Sequence, residues 1–418
     1  MDSAGLYVHI PFCLAKCAYC DFFSLPCAAA EGGAFVPDSY IKALLCEARF
    51  YRRKYGIDSW RTVYIGGGTP SLMTSGQIAT LARGLLEGTK TAPLEFTIEM
   101  NPETLSLDKL SAARDCGVTR LSLGIQSLCQ KALDAVGRHC TAACAQKILD
   151  MVRPAWGGDL SLDAIAGLPF QNRDEFELSL RKILEYSPEH FSLYSLMIED
   201  GTPLERSISS GKIPFDDDEA DGQWLLGRDI LEEKGYGQYE VSNFALKGHE
   251  SIHNGSYWSQ LDYVGVGSGA TGTVYAFDGR GAGRGLRWTG SRDISRYCSF
   301  WNESVDGALE NSFGGLDFSS DNSIPADFEV LDLETLEFEY LMMALRTLKG
   351  VNSLEYERRF ASVEPWRGDI KKRLGSNPLW KDFEGKNMCF SRDCPSGGRD
   401  FALNKKGLLF LNSLLRNF

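Results

Sequence analysis

The chain has 418 residues, of which 43% are hydrophobic and 24% are charged, and its formal net charge is −12. This composition is typical of a globular protein with two or three domains, or with one large α/β barrel and an additional unit. The acidic balance excludes a general nucleic-acid-binding role. No signal peptide and no membrane-spanning segment are recognisable, so we expect a cytoplasmic protein whose 12 cysteines are reduced.

Short apolar runs alternate with helical periodicity over the first 200 residues, and strands joined through helices in this way must be parallel neighbours. The predicted strands are 6–10, 62–65, 94–99, 120–125, 161–165 and 190–197. Several strands, such as 63–65, are apolar on both faces, which is typical of a sheet covered by helices. The pattern predicts an α/β fold, a partial (β/α)6 barrel over residues 1–260. Residues 261–418 are predicted to form a smaller, mostly helical C-terminal domain.

Polar, glycine-rich or sulfur-bearing residues follow the predicted strands at their carboxyl ends, where barrels of this type carry their functional groups. In strand order these are the cysteine loop 13–20, the triple glycine 66–68, Glu99, Gln126 and Asp163. Taken singly, each charge in this set is better explained by a surface salt bridge. Five such positions in register favour one shared site instead.

Cys13, Cys17 and Cys20 lie on the loop that follows the first strand. Three thiolates on one short loop can hold three corners of an iron–sulfur cube and leave one iron open for a cofactor. Two alternatives stay open at this point. The spacing also fits one buried face of a helix, and His9 could complete a tetrahedral zinc site with the three cysteines.

Further groups suit a small ligand. Gly66, Gly67 and Gly68 allow a close approach to the backbone, Glu99 and Asp163 can hold hydroxyls or an ammonium, and Arg138 can clamp a carboxylate. The segment 253–258 combines His253 with Tyr257 and Trp258, a group that could receive a flat macrocycle with the imidazole as an axial iron ligand. The simpler interpretation of this segment is a packed aromatic pair beside a polar histidine.

The sequence resembles the radical S-adenosylmethionine (SAM) superfamily, and within it the oxygen-independent coproporphyrinogen oxidase-like group. The resemblance covers nearly the whole chain and is carried by motifs at 7–13, 20–22, 66–71, 99–102, 124–127, 163–169 and 239–244. It implies a 4Fe-4S cluster on Cys13, Cys17 and Cys20, whose open iron binds S-adenosylmethionine. In this superfamily, one-electron reduction cleaves S-adenosylmethionine to methionine and a 5′-deoxyadenosyl radical.

The resemblance also implies a set of contacts to S-adenosylmethionine. The matching positions are Tyr7, Tyr19, Gly66, Gly67, Glu99, Gln126, Arg138 and Asp163. An electron donor such as flavodoxin or ferredoxin would be a partner.

Two subgroups of this family differ at one position of the cysteine loop. True coproporphyrinogen oxidases carry a further cysteine where this chain has Phe22, so the chain looks like the HemW haem-chaperone branch. That branch carries a motif proposed to bind haem, matched here by His253, Asn254, Tyr257 and Trp258. The resemblance implies a protein that binds haem and delivers it to haem-dependent respiratory proteins.

Two alternatives remain open at this stage. One is oxidative decarboxylation of coproporphyrinogen III in porphyrin biosynthesis, and the other is a non-catalytic zinc or structural protein. Thr271 stands where members of the group usually have a histidine, so the role of that histidine is not transferred to this chain.

Overall fold

The computed structural model describes residues 3–27, 35–277, 283–303, 324–395 and 397–418. The elements of the first part alternate between strand and helix as the sequence predicts. They are β1 (Ser3–Ile10), β2 (Phe12–Cys13), β3 (Leu25–Pro26), α1 (Asp38–Lys54), β4 (Ser59–Gly67), α2 (Ser75–Leu86), β5 (Glu95–Met100), α3 (Leu107–Asp115), β6 (Arg120–Gln126), α4 (Gln130–Ala135), α5 (Ala142–Ala155), β7 (Asp159–Ala166), α6 (Arg173–Leu184), β8 (His190–Ser195), α7 (Pro203–Ser209), α8 (Asp217–Glu233), β9 (Gly237–Gln238), β10 (Asn243–Ala245) and α9 (Ile252–Trp258).

The second part contains both helices and strands. Its elements are β11 (Tyr263–Val266), β12 (Thr271–Phe277), β13 (Gly283–Gly290), α10 (Ile294–Glu303), β14 (Ala326–Leu331), α11 (Leu333–Ala344), β15 (Val351–Asn352), α12 (Ser353–Phe360), α13 (Ile370–Gly375), α14 (Pro378–Gly385), β16 (Cys389–Asp393), β17 (Arg399–Leu403), α15 (Lys405–Leu408) and α16 (Leu411–Leu415).

Local sequence signals explain where several barrel helices begin. Thr74 caps α2 and Asn172 caps α6, and in each case the side chain three residues later bonds back to the cap residue, which completes a capping box. These caps satisfy backbone N–H groups that would otherwise lack partners at the helix start. The crossover helices therefore start at defined points after the strands that carry the site.

Six strands, β1, β4, β5, β6, β7 and β8, lie side by side and run parallel in that order. The prediction of six parallel strands is thus confirmed. The sheet continues beyond them on both edges. Strand β11 pairs parallel with β1 and is followed by antiparallel β12, β13 and β14, while β10 and β9 extend the edge at β8.

The sheet therefore runs across residue 260, where the sequence predicts a domain boundary. The main hydrophobic core extends to Ile324, and a second core, built mainly from α11 to α16, begins at Leu331. Four strands that follow residue 260 belong to the sheet of the barrel. The division into two domains at residue 260 stays a prediction.

The two faces of the parallel sheet differ in chemistry. The outward face carries Leu6, Val63, Phe96, Leu121 and Phe191, all fully buried against the helices. The inward face is polar, and its in-register rows include Tyr7–Tyr64–Thr97–Arg120 and Ser122–Ser161–His190. The expectation of strands apolar on both faces is therefore wrong for this sheet. Closed (β/α)8 barrels are usually filled by branched apolar side chains, whereas a polar lining suits a ligand.

Helix α9 covers the amino-terminal end of the strands. The buried carboxylate of Glu95, the first residue of β5, accepts hydrogen bonds from the Ser251 hydroxyl and from the backbone N–H groups of Ile252 and His253. Arg120, at the start of β6, forms an ion pair with Glu95 at 3.3 Å. A carboxylate at a helix N-terminus is stabilised by the N–H groups and by the helix dipole, so this interaction fixes α9 against the barrel.

Candidate functional site

The cysteine loop is fixed at the carboxyl end of β1 by a short parallel ladder. Strands β2 and β3 pair Cys13 with Pro26, and the Cys27 N–H donates to the Cys13 carbonyl at 2.9 Å. In the middle of the loop, the Ala18 N–H donates to Val136 and the Ala18 carbonyl accepts from Leu204. Backbone bonds on both sides hold the thiols in place without using their sulfur atoms.

Arg138 connects this loop to neighbouring strands. Its Nη1 lies 3.7 Å from Sγ of Cys17, and its Nη2 donates to Oδ1 of Asn101 at 3.1 Å and to the Gly124 carbonyl at 2.7 Å. The amide nitrogen of Asn101 then donates to the hydroxyl of Thr69, which lies 3.6 Å from Sγ of Cys13. A hydrogen-bonded chain thus joins two of the three thiols.

Glu99 stands beside this chain at the carboxyl end of β5. Its Oε1 accepts a 2.6 Å hydrogen bond from the Tyr64 hydroxyl and its Oε2 accepts from the Gly67 N–H at 3.1 Å. Burial raises the pKa of the Glu99 carboxyl, and the two hydrogen bonds oppose that shift. Tyr7 faces the same interior, where burial and then the charge of Glu99 raise the pKa of its phenol.

The triple glycine makes room for protein side chains as well as for a ligand. A Cβ on Gly66 would lie 2.8 Å from Oε2 of Glu99, and one on Gly67 would meet Nδ1 of His9. Gly67 also has a φ of +111°, which L-residues rarely adopt. The glycines are therefore required by the positions of Glu99 and His9.

Three of the residues predicted to contact S-adenosylmethionine have a buried polar atom without a hydrogen-bond partner within the described residues. These atoms are Oε1 of Gln126, Nε of Arg138 and Oδ1 of Asp163. Gln126 follows a bulge between β6 and β7 and has a φ of +67°, an unusual conformation for a residue with a side chain. Such atoms cost free energy unless a ligand satisfies them. One unpaired donor and two unpaired acceptors fit a ligand with a carboxylate, an ammonium and hydroxyls, as S-adenosylmethionine has.

The last two predicted residues, Asp163 and Tyr19, interact electrostatically with residues around the cysteine loop. Burial, together with the charge of Glu99, raises the pKa of Asp163 to about 7, while Ser192, Ser122 and Arg138 oppose the shift. Tyr19 is desolvated beside Cys17 and Arg138, and burial is the main cause of its raised pKa. The structure thus brings together Tyr7, Tyr19, Gly66, Gly67, Glu99, Gln126, Arg138 and Asp163 around the cysteine loop.

His9 is held away from the thiols. Its Nδ1 pairs with the Tyr7 hydroxyl and its Nε2 with the Phe23 carbonyl. Among the described residues, no three His, Cys, Asp or Glu side chains converge closely enough to hold a single metal ion. The geometry therefore gives no support to the mononuclear zinc interpretation, in which His9 completes the ligand set.

His253 lies in α9, at the opposite end of the strands. Only 2% of its surface is exposed, and its Nδ1 pairs with Thr62 and its Nε2 with Tyr257, both at 2.8 Å. Thr62 precedes Gly66 by four residues of β4, which corresponds to about 13 Å along the strand. The structure thus does not bring His253 to the cysteine loop, and ligation of haem iron would require His253 to release one of these bonds.

The sequence interpretation assigns no role to Tyr64, Thr69 or Asn101, although all three contact predicted site residues. Thr69 and Asn101 lie inside motifs at strand ends, which is a signal that could have identified them. Tyr64 lies within an apolar strand, and only the register of β4 shows that it faces the interior.

These features define a class of protein: a partial parallel barrel that carries three cysteines on the loop after its first strand. Comparison with known proteins agrees with this class. The family model of the Radical SAM superfamily matches residues 7–183. The haem chaperone HemW of Lactococcus lactis is 36% identical over 91% of this chain and 92% of that protein.

Two further comparisons extend this result. A mouse mitochondrial protein, radical S-adenosyl methionine domain-containing protein 1, is 37% identical, and the match covers 64% of this chain and 60% of the mouse protein. The structure of coproporphyrinogen III oxidase (HemN) from Escherichia coli aligns with a TM-score of 0.75 over 99% of this chain and 89% of that one. At 19% identity, the HemN comparison shows the fold alone.

The chain therefore belongs to the radical SAM superfamily and, within it, to the family of the proteins named haem chaperone HemW. Membership of the superfamily implies a 4Fe-4S cluster and S-adenosylmethionine. The predicted fold and the predicted family are both confirmed. Within the described ranges, no helix has the length and the apolar character needed to cross a membrane.

Proposed function

We propose that this chain is a haem chaperone: it holds a 4Fe-4S cluster on Cys13, Cys17 and Cys20, binds haem, and delivers the haem to haem-dependent respiratory proteins. The observation that carries the proposal is the similarity to HemW of Lactococcus lactis over nearly the full length of both chains. The residue at the subgroup-specific position, Phe22, agrees with this choice, because it supplies no thiol.

We assign the residues around the cysteine loop to the cluster and to S-adenosylmethionine. Arg138 and Thr69 donate toward the sulfur atoms of Cys17 and Cys13, which stabilises thiolates and orients them. Glu99, Gln126 and Asp163 offer acceptor oxygens to the amino and hydroxyl groups of S-adenosylmethionine. When bound, the cluster and S-adenosylmethionine supply one-electron chemistry, and the barrel positions them and excludes water. A small electron-transfer protein such as flavodoxin or ferredoxin would supply electrons.

The haem site is assigned to α9, through His253. Because Thr62 and Tyr257 occupy both ring nitrogens, haem binding through this residue must be accompanied by a local rearrangement of α9. Burial lowers the pKa of His253 to about 3, so the imidazole is neutral near pH 7 and has the protonation state that an iron ligand requires.

The test is an anaerobic haem titration of the cluster-reconstituted protein, followed by the Soret band, with two matched variants. His253→Ala removes the imidazole, whereas Thr62→Val removes only the partner of Nδ1. We expect stoichiometric binding that is lost in His253→Ala and is kept or tightened in Thr62→Val. Equal weak binding in all three proteins would reject the haem site. Binding that fails equally in both variants would show that His253 acts only through packing.

Two further measurements complete the test. Transfer of bound haem to an apocytochrome, monitored by the spectrum of the acceptor, tests delivery. Anaerobic incubation with coproporphyrinogen III, S-adenosylmethionine and a reductant tests the alternative activity. A decarboxylated product would replace the chaperone proposal with the oxidase proposal.

A further inference from the structure

The polar inner face of the barrel continues past the group around Glu99 to the edge of the parallel sheet. Asp163 in β7, Ser192 in β8 and Asn243 in β10 are register partners on adjacent strands, so their side chains share the inner face. The Asn243 side chain contacts the carboxyl group of Glu240, just before β10. We name Asp163, Ser192, Asn243 and Glu240 the acceptor row.

Three members of the acceptor row have an oxygen without a partner. Oδ1 of Asp163, Oδ1 of Asn243 and Oε1 of Glu240 are buried and accept no hydrogen bond within the described residues. Asn243 is 5% exposed and Glu240 is 2% exposed. The other oxygen of Glu240 accepts from the Ser242 N–H. Leaving a buried acceptor unpaired is costly. Two unpaired acceptors on the inner face and a third beside Asn243 therefore point to a ligand that supplies donors.

The charges of the row are also unbalanced. Neither Asp163 nor Glu240 forms an ion pair of 4.0 Å or less in the described part of the chain, whereas Glu95 is paired with Arg120. Arg346 lies within electrostatic reach of Glu240, but its Nη1 donates to the Met342 carbonyl instead. Arg138 acts on Asp163 only through its charge, without an ion-pair contact. A buried carboxylate normally requires a cationic partner in contact, and within the described residues neither carboxyl group of the row has one.

Tyr194 shows that space remains in front of the inner face beside the row. It follows Ser192 by two residues in β8, so the two side chains lie on the same face of the sheet. The residue is 43% exposed, although it lies on the inner face. Burial is the main cause of the raised pKa of its phenol, and the charges of Asp163 and Glu240 add to the shift, so both carboxyl groups lie near Tyr194.

We propose that the acceptor row binds a nitrogen cation, a protonated amine or a guanidinium, in the barrel interior next to the S-adenosylmethionine site. N–H donors with positive charge match the carboxyl group of Glu240 and the amide oxygen of Asn243 better than neutral hydroxyls do, because charge-assisted hydrogen bonds are the stronger ones. Asn243 lies two strands from Asp163, roughly 10 Å away. The far end of the row can therefore hold a second ligand while Asp163 serves S-adenosylmethionine. The proposal goes beyond haem delivery, and the row disfavours the carboxylates of haem itself.

The experiment measures binding of 1,4-diaminobutane to the cluster-reconstituted full chain by calorimetry, with 1,4-butanediol and succinate as neutral and anionic probes of the same length. The variants are Glu240→Gln, which removes one charge, and Asn243→Leu, which removes one acceptor. Gln238→Leu is the matched control. The Gln238 side chain also has an unpaired oxygen, but its register partner Phe244 faces the outer core, so it lies outside the row.

We expect the diamine to bind more tightly than the diol, and succinate not to bind. The dissociation constant of the diamine should rise at least about tenfold in Glu240→Gln and in Asn243→Leu, and should be unchanged in Gln238→Leu. Absence of diamine binding, or equal binding in all four proteins, would overturn the proposal.

A second measurement does not depend on the choice of probe. Without any amine, Glu240→Gln should raise the melting temperature at pH 8, because the variant no longer buries a carboxylate that lacks a cation in contact. A lower melting temperature would show that Glu240 is a structural residue and would overturn its assignment to a binding site. Haem titration of the same variants separates this proposal from the haem site, since a variant that loses the diamine should still bind haem.

Discussion

The ring of Tyr64 stacks on the imidazole of His253, with centroids 4.9 Å apart and planes inclined by 25°. The hydroxyl of the same tyrosine donates to Glu99. The two proposed sites lie at opposite ends of the barrel strands, yet they share this one side chain. Any movement of α9 that frees His253 therefore also changes the packing of the residue that positions Glu99.

Tyr64→Phe should weaken S-adenosylmethionine binding while leaving the stack on His253 in place. The lost hydrogen bond is to a carboxylate, and such bonds contribute about 1.5–3 kcal/mol, which corresponds to roughly a 10- to 100-fold rise in the dissociation constant. Equilibrium dialysis with the reconstituted protein measures this change. Tyr51→Phe is the control, because the buried Tyr51 hydroxyl has no partner within the described residues. Equal affinity in the two variants would contradict the role of Tyr64.

Gly67→Ala should destabilise the protein, whereas Gly76→Ala should stabilise it. At Gly67 the new methyl group meets the His9 ring and φ is +111°, so we expect a loss of about 2 kcal/mol or more. Gly76 lies in α2 with no contact closer than 3.9 Å to an added Cβ, and alanine there should add about 0.5–1 kcal/mol. Denaturant unfolding of matched samples compares them. A neutral effect at Gly67 would show that His9 can move aside.

Arg138→Met should shorten the lifetime of the cluster. The variant removes the donor to Cys17 and leaves the Asn101 Oδ1 and the Gly124 carbonyl without that partner. We expect the visible absorbance to bleach under an iron chelator at least about tenfold faster. Arg138→Lys keeps the charge but not the forked geometry, so its rate should fall in between. Identical rates in all three proteins would mean that the arginine has no influence on the thiolates.

Glu47→Gln should flatten the dependence of stability on pH. The buried Glu47 carboxylate accepts from the Gly267 N–H and the Tyr297 hydroxyl, and burial raises its pKa from 4.5 to about 7. The unfolded chain thus releases this proton at lower pH than the folded chain. Glu47 makes its full contribution to the free energy of unfolding below pH 4.5. This contribution is lost as pH rises through 7, which lowers the free energy of unfolding by about 3 kcal/mol.

Thermal unfolding at several pH values between 4.5 and 7.5 measures this slope. In the Glu47→Gln variant, stability should still fall as pH rises, but less steeply, because the pKa values of Asp163 and Glu240 are also raised. Glu334→Gln, at an exposed position in α11, should leave the slope of the parent chain unchanged. A Glu47→Gln slope equal to that of the parent would show that this carboxyl group is ionised in the folded protein.

Much of the fold could be predicted because the barrel depends on local periodicity. The six parallel strands and helices such as α1 and α11 follow from apolar spacing and from glycine and capping signals. The sequence could not show that β11 pairs with β1, since that contact joins residues about 260 positions apart. The run 63–65 is apolar throughout, so the sequence could not show which face of β4 is polar. The register shows that Val63 and Ile65 face outward and that Tyr64 faces the polar interior.

The candidate site could be predicted in part for a related reason. The residues at strand ends, such as Glu99 and Gln126, converge because parallel strands place their carboxyl ends together. The sequence could not identify Thr62 as the partner of Nδ1 of His253, because Thr62 is 191 positions away and lies in another element. A motif indicates which residues occur together, whereas burial and hydrogen-bond partners decide what each of them is free to bind.

The closure of the barrel by α9 and β11 has a consequence for synthesis of the protein. Within the described ranges, the helix partners of Glu95 come from residues 251–253, and the edge of β1 that faces away from β4 is paired by residues 263–266. During synthesis, a nascent chain that extends only through residues 7–183, the stretch matched by the superfamily, therefore has an unpaired edge at β1. Its Glu95 has Arg120 as a partner but lacks the helix N–H groups. The cysteines are synthesised first, but strand β11, which pairs with the edge of β1, is synthesised only some 250 residues later.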